Sequence, residues 1–194
     1  MHGYVSSGPR RPDRIASAAS RVRHNFGMTS GSSRANDNLQ PRLVLLCGLP
    51  ASGKSTLARE LADAYGAVRL NLDEWEFALG VDPFDEGFQL RLEAKFWELA
   101  QRLLVLGTSV VLEWGFWGRS ERDEKREAAR TLGVAVELRF LDVPYDELVR
   151  RVVARHAAGG IAITERHMEQ YRVIFQPPTD DELALYDLPL PESS

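Results

Sequence analysis

The residue types with the most chemistry to offer stand next to one another, in the run Gly48-Leu49-Pro50-Ala51-Ser52-Gly53-Lys54-Ser55-Thr56. Glycine, four residues, glycine, lysine and a hydroxyl residue is the spacing of a loop that cradles phosphate. A nucleoside triphosphate carries several negative charges, which must lose water without leaving polar groups unpaired. The main-chain N–H groups of such a loop and of the helix that follows it supply the donors. Gly48 and Gly53 permit close backbone approach. Lys54 can reach the outer phosphates, and Ser55 can place its hydroxyl on a magnesium ion. All nine residues from Gly48 to Thr56 are therefore expected at a nucleotide site.

In an open parallel sheet, ligands lie beyond the carboxyl ends of the strands, where strand order reverses. Three acids fall at the ends of later apolar runs: Asp73, Glu113 and Asp142. Two carboxylates beside a phosphate loop suit two tasks, accepting a proton from an attacking hydroxyl and holding magnesium directly or through water. Asp73 is assigned the first task and Glu113 the second. Asp142, followed by Val143-Pro144, reads as the cap of the next helix. Arg151 and Arg155 are four apart, share a helix face, and stand just before the glycine-rich piece Ala157-Ala158-Gly159-Gly160. Guanidinium groups brought in by closure can stabilise transition-state charge; the competing reading pairs them with Glu147 at the surface.

Other residues admit plainer readings. Trp75, Trp114, Phe116 and Trp117 could line an acceptor pocket or pack in the core. Arg119, Arg122 and Arg126 read as the solvated face of a charged helix, with Arg119 nearest the site. Cys47 reads as a small buried residue, and His156 and His167 lack partners at metal-ligand spacing.

The elements that must position these groups follow from the apolar pattern. Leu43-Val44-Leu45-Leu46-Cys47 predicts a buried strand over 42–47, and the loop then opens a helix over 53–65, closed by Gly66. A second strand is expected over 67–72, ending at Asp73. The spacing of Phe88, Leu92, Phe96, Leu99, Leu103 and Leu106 predicts one long helix. A third strand runs over 109–112 to Glu113, a charged helix over 120–132, a fourth strand over 134–141 and a helix from Pro144 through Arg155. A further helix spans 164–175, and residues 183–188 are the candidate last strand. Alternation of strands and helices predicts an α/β fold.

The chain has 194 residues, enough for one domain with a sizeable core. No apolar run reaches the roughly 18 residues of a membrane span. A single cysteine excludes an internal disulfide and a cysteine-based zinc cluster, so a cytoplasmic location is the default expectation. Residues 1–40 hold six arginines against Asp13 and Asp37, a net charge of +4, which leaves 18 basic and 26 acidic residues, or −8, for residues 41–194. The first 40 residues show no apolar periodicity and read as a disordered basic extension. A targeting segment, or translation from upstream of a start at Met28, would each account for it. An acidic body is a poor general binder of nucleic acid, so small substrates are favoured and only the basic arm speaks for a polymer.

Gly48 to Thr56, Asn71-Leu72-Asp73, Val110-Val111-Leu112-Glu113, Leu141-Asp142-Val143-Pro144, and Arg151 with Arg155 together resemble the small P-loop kinases related to adenylate kinase. Within them the chain is similar to the AAA-type group of zeta toxin, chloramphenicol phosphotransferase and polynucleotide kinase. The resemblance covers about residues 42–190. It implies a three-layer αβα sandwich with a five-stranded parallel sheet in the order 2-3-1-4-5 and a small helical lid. It also implies ATP and Mg2+ as ligands and transfer of the γ-phosphate of ATP to a hydroxyl. An aspartate placed like Asp73 is the base in that group, and arginines placed like Arg151 and Arg155 close over the phosphates. Glu113 departs from the commoner aspartate, and Ala51 from a frequent glycine. An ATPase or switch without a small acceptor and a polynucleotide 5′-hydroxyl kinase remain as alternatives.

Overall fold

Leu43 to Cys47 is an unbroken run of apolar residues, every one fully buried. A strand covered on both faces needs such a sequence, and it forms the centre of the fold. The computed structural model describes residues 40–82, 85–157 and 163–190. The expected basic extension lies outside them except for Gln40, as do Pro83, Phe84 and Ala158-Gly159-Gly160. The described elements are β1 (Arg42–Cys47), α1 (Lys54–Tyr65), β2 (Val68–Asn71), α2 (Leu72–Leu79), α3 (Glu86–Val105), β3 (Val110–Gly115), α4 (Arg119–Thr131), β4 (Ala135–Phe140), α5 (Tyr145–Ala157), α6 (Glu165–Ile174) and the single turn α7 (Asp180–Leu183).

The sheet is parallel, in the order β2-β3-β1-β4. Leu45 of β1 lies beside Leu112 of β3 and Leu138 of β4. Strand alternation sorts the side chains into two layers. Val44, Leu46 and Val111 pack against Ala58 and Leu61 of α1. Leu43, Leu45, Val110, Leu112 and Val136 pack on the other face against Phe96, Ala100 and Leu104 of α3 and Ala129 of α4. The chain thus forms an αβα sandwich, and β1, whose neighbours are reached by connections in opposite directions, marks the switch point.

Two elements differ from expectation. The segment 183–188 does not form a fifth strand. Thr179 accepts the N–H of Glu182 and caps α7, whose first turn is acidic; cap and dipole favour helix where the apolar run suggested a strand. Beyond it the chain meets β4 through one main-chain bond, Asp187 N–H to Val136 O at 2.8 Å, and one carboxylate bond from Val136 N–H to Asp187 Oδ2 at 2.6 Å. Pro189 then removes a ladder donor. The second difference is α2, which begins at Leu72 where the strand was expected to continue.

α5 and α6 share a small core of their own. Leu148, Val152 and Met168 are buried together with Leu49 of the phosphate loop, and Trp117 and Tyr171 pack at its edge. Among the described residues no helix is long and apolar enough to cross a membrane.

Candidate functional site

The phosphate loop leaves β1 at Gly48, whose N–H donates to Gly115 O of β3 at 3.1 Å. Gly48 has φ 154°, and a Cβ there would stand 2.9 Å from Ser52 Oγ and 3.2 Å from Leu141 O. Glycine is required on both counts. Ala51 also takes a left-handed φ of 64°, uncommon for a residue with a side chain, and the Ser52 N–H folds back to Leu49 O at 3.3 Å. Gly53 caps α1 without any side-chain acceptor. The N–H groups of Lys54 and Ser55, in the first turn, therefore have no intrahelical acceptor and stand at the positive end of the helix dipole.

Lys54 Nζ donates to Gly48 O and Leu49 O, each at 2.9 Å. Burial pulls its pKa down to about 8, while the charges of Asp73 and Glu113 act in the opposite direction and Arg155 adds to the depression. Asp73 comes from a different strand end. Asn71 closes β2 and accepts the N–H of Glu74 at 2.7 Å, which starts α2 and sets Asp73 in its first turn. Asp73 is exposed as a residue, yet lost hydration raises the pKa of its carboxyl, with Glu113 adding to the effect and Lys54 and Arg155 opposing it. Lys54, Asp73, Glu113 and Arg155 thus share one electrostatic neighbourhood.

Glu113 lies within β3 and is almost fully buried. Its Oε2 accepts from Arg69 Nε at 2.6 Å, and the same guanidinium also grips Glu74 at 2.6 Å. Part of its charge is therefore already balanced by Arg69. Arg151 makes the surface pairing that competed with its functional reading, Nε donating to Glu147 at 2.6 Å, and its Nη1 also reaches Ala51 O of the phosphate loop at 3.3 Å. Arg155 is exposed, and its charge acts on both Lys54 and Asp73. Ser55 and Thr56 lie in the first turn of α1 beside Lys54.

The aromatic residues divide. Phe116 is fully buried, and Trp114 stacks on it with ring centroids 5.0 Å apart. Trp75 is half-exposed on α2, edge-on to Phe96. Trp117 braces the loop: Nε1 donates to Gly48 O at 3.2 Å, and its ring lies 4.8 Å from that of Tyr171 on α6. Cys47 Sγ donates to Phe116 O at 3.3 Å, and burial pushes the thiol up to about 12, so it is inert. His167 serves the capping box at the start of α6 with Thr164.

Arg122 overturns its reading as part of a solvated face. It is fully buried, donating from Nε and Nη2 to Glu182 at 2.6 and 2.9 Å, and from Nη1 to Phe116 O at 2.9 Å and Trp117 O at 3.1 Å. Arg122, Lys125 and Ala129 form the inward stripe of α4, and that spacing of three and four was the available signal. Arg119 and Arg126 remain nearer the surface and share Asp123.

The loop fits a magnesium nucleotide. Ser52 Oγ is buried without a hydrogen-bond partner beside Gly48, and Lys54 is a desolvated cation that a polyphosphate would compensate. Among the described residues no three Asp, Glu, His or Cys side chains converge on a common point. Magnesium held at such a loop leans on phosphate oxygens, a hydroxyl and waters rather than on a protein cage.

A family model described as an AAA domain matches residues 43–178. An uncharacterized protein of Mycobacterium tuberculosis is 36% identical over 158 residues, covering 74% of this chain and 30% of its own length. The chain thus spans less than a third of the curated relatives it matches. A chain of the Pnkp1/Rnl/Hen1 RNA repair complex is similar with a TM-score of 0.62 and 24% identity, over 73% of this chain and 46% of that one. The Mycobacterium tuberculosis APS kinase CysC, in complex with AMPPNP and APS, is similar with a TM-score of 0.51 and 22% identity, over 73% and 85% of the two chains. Identities this low speak for the fold. With the family match spanning most of the sandwich and the glycine loop at its switch point, the chain belongs to the AAA domain family.

Proposed function

We propose that the protein transfers the γ-phosphoryl group of ATP to a hydroxyl of a small molecule. The observation that carries this reading is the convergence of Lys54, from the loop after β1, and Asp73, from the end of β2, into one neighbourhood where each shifts the other. The loop N–H groups and Lys54 would bind and orient the triphosphate. Asp73 would take the proton of the acceptor hydroxyl as its oxygen bonds to the terminal phosphorus and the bond to ADP breaks. A carboxyl pKa raised by lost hydration makes a stronger base. Arg155 and Arg151, on α5, supply positive charge where the transferred group spreads its own. Ser55 and, through water, Glu113 would hold Mg2+ together with the phosphates, and the ion would supply charge neutralisation at the transferred group.

The acidic balance of residues 41–194 favours a neutral or cationic small acceptor. A polynucleotide 5′-hydroxyl acceptor is the second reading, favoured by the RNA repair complex among the similar structures. Labelled γ-phosphate transfer to a panel of sugars, nucleosides, amino-alcohol antibiotics and 5′-hydroxyl oligonucleotides separates them. Asp73→Asn is expected to bind MgATP as the wild type does and to lose transfer by about a thousandfold; unchanged turnover on the acceptor found would reject Asp73 as base. Hydrolysis stimulated by a protein partner and by no acceptor would turn the assignment to a switch.

A further inference from the structure

We propose that Trp117 is the positioning residue that makes Lys54 releasable: its indole N–H keeps the Gly48 carbonyl hydrogen-bonded when the ammonium moves from that carbonyl to a phosphate. This rests on the nucleotide reading of the loop. Lys54 is held by two carbonyls, and each has a second donor already in place. Gly48 O accepts Trp117 Nε1 at 3.2 Å as well as Lys54 Nζ at 2.9 Å. Leu49 O accepts the N–H of Ser52 at 3.3 Å as well as Lys54 Nζ at 2.9 Å. A carbonyl oxygen has room for two donors, and one deprived of its only donor inside a protein is costly. Lys54 can therefore leave without orphaning either oxygen.

The chain invests several unusual features in placing that indole. Gly115 takes a φ of 99°, and a Cβ there would stand 2.6 Å from Trp117 Nε1, so a side chain at 115 would displace the ring. Phe116 follows at a left-handed φ of 46°. The carbonyls of Phe116 and Trp117 that this turn presents are both held by Arg122, and Gln176 N–H donates to Trp117 O at 3.0 Å. The outer face of the ring packs on Tyr171 of α6. Backbone and ring are fixed from both sides, while the N–H points at Gly48 O, one of the two loop carbonyls that Lys54 holds. Trp117 touches no phosphate; it acts through Gly48.

A double-mutant cycle read by nucleotide affinity tests the proposal. Magnesium with a fluorescent N-methylanthraniloyl ATP is titrated into the wild type, Trp117→Phe, Lys54→Met and the double variant. Phenylalanine keeps an aromatic ring against Tyr171 while it removes the donor; the ring area it also loses is lost in both backgrounds and cancels in the cycle. Trp117→Phe is expected to weaken binding roughly tenfold when Lys54 is present and less than about twofold when it is methionine, because there is then no ammonium to release. Equal losses in both backgrounds, or no loss in either, overturn the role of Trp117 and leave the nucleotide reading intact. A wild type that takes up no magnesium nucleotide at millimolar concentration removes both. Should Trp117→Phe fail to fold, indole hydrogen exchange in the 15N-labelled wild type decides: the Trp117 N–H stays protected with MgATP bound if the proposal holds, and exchanges freely if it does not.

Discussion

The turns that follow β1 and β3 are built on the same plan and held in opposite ways. Each bends the chain through a left-handed glycine, Gly48 or Gly115, and each presents two carbonyls to a single cation. At the first turn the cation is Lys54. Asp73 and Glu113 act on it by charge alone, and burial leaves its pKa near 8. At the second it is Arg122, fully buried and locked by both oxygens of Glu182, which holds the guanidinium firmly charged. A lysine is a flexible point charge and an arginine a rigid fork. The comparison teaches that one turn is built to stay and the other to give up its cation.

The largest effect expected from this contrast is at the fixed turn. Arg122→Met would leave the buried Glu182 with only Arg119 Nη1, at 3.4 Å, as a cationic partner and would take one donor from each of the Phe116 and Trp117 carbonyls. A loss of about 3–5 kcal/mol in urea unfolding is expected, with much of it recovered when Glu182 is also replaced by leucine, since a buried pair removed whole costs far less than one broken. A single-variant loss below about 1 kcal/mol would mean that the pair does not hold this turn.

At the movable turn the sign reverses. The pKa of Lys54 falls from 10.5 to about 8 on folding, so between those values the unfolded chain binds more protons than the folded one. Wild-type stability should therefore rise with pH across the window from about 8 to 10.5. Lys54→Met removes that rise and is expected to be more stable than the wild type at pH 7 by roughly 1–3 kcal/mol. Urea midpoints for both proteins at four pH values across the window measure it. Parallel curves would show that the lysine is as settled as the arginine.

The contrast also explains what could be seen in the sequence. The phosphate loop is legible because its spacing, its strand and its helix are contiguous, and β1 because five apolar residues in a row have few other uses. The α/β class follows from the same local signals, whereas the three-layer sandwich and its strand order are implied only by the resemblance to the small P-loop kinases. α2 was hidden: Val68 to Leu72 reads as a continuing strand, and the cap at Asn71 with acids at Asp73 and Glu74 is a short signal that the apolar run outweighs. The bond between Arg122 and Glu182 spans 60 positions, and no periodicity on α4 says that a distant glutamate will neutralise an arginine on its inner face. Trp117 shows the same limit. Its aromaticity suggests a pocket or a core, whereas its use depends on an N–H aimed at a carbonyl 69 positions away. Local pattern reveals elements, and long-range polar partners have to be found in three dimensions.

The smallest effect separates the two turns in a third way. At the fixed turn the carbonyls and the cation satisfy one another. The movable turn keeps Ser52 Oγ buried without a partner, against Gly48. A hydroxyl held for the architecture would be bonded within it, so an unsatisfied one suits a group that finds its partner only when the loop closes on an anion. Ser52→Ala removes the polar atom and little volume. It is expected to leave urea stability within about 1 kcal/mol of the wild type, with a gain rather than a loss, because an unpaired buried hydroxyl contributes nothing favourable to the fold. Affinity for magnesium N-methylanthraniloyl ATP should nonetheless fall by about three- to tenfold, the share of one hydrogen bond to a charged group. A clear loss of stability with unchanged affinity would show that Ser52 serves the loop's own shape, and the two turns would then differ only in how they hold their cations.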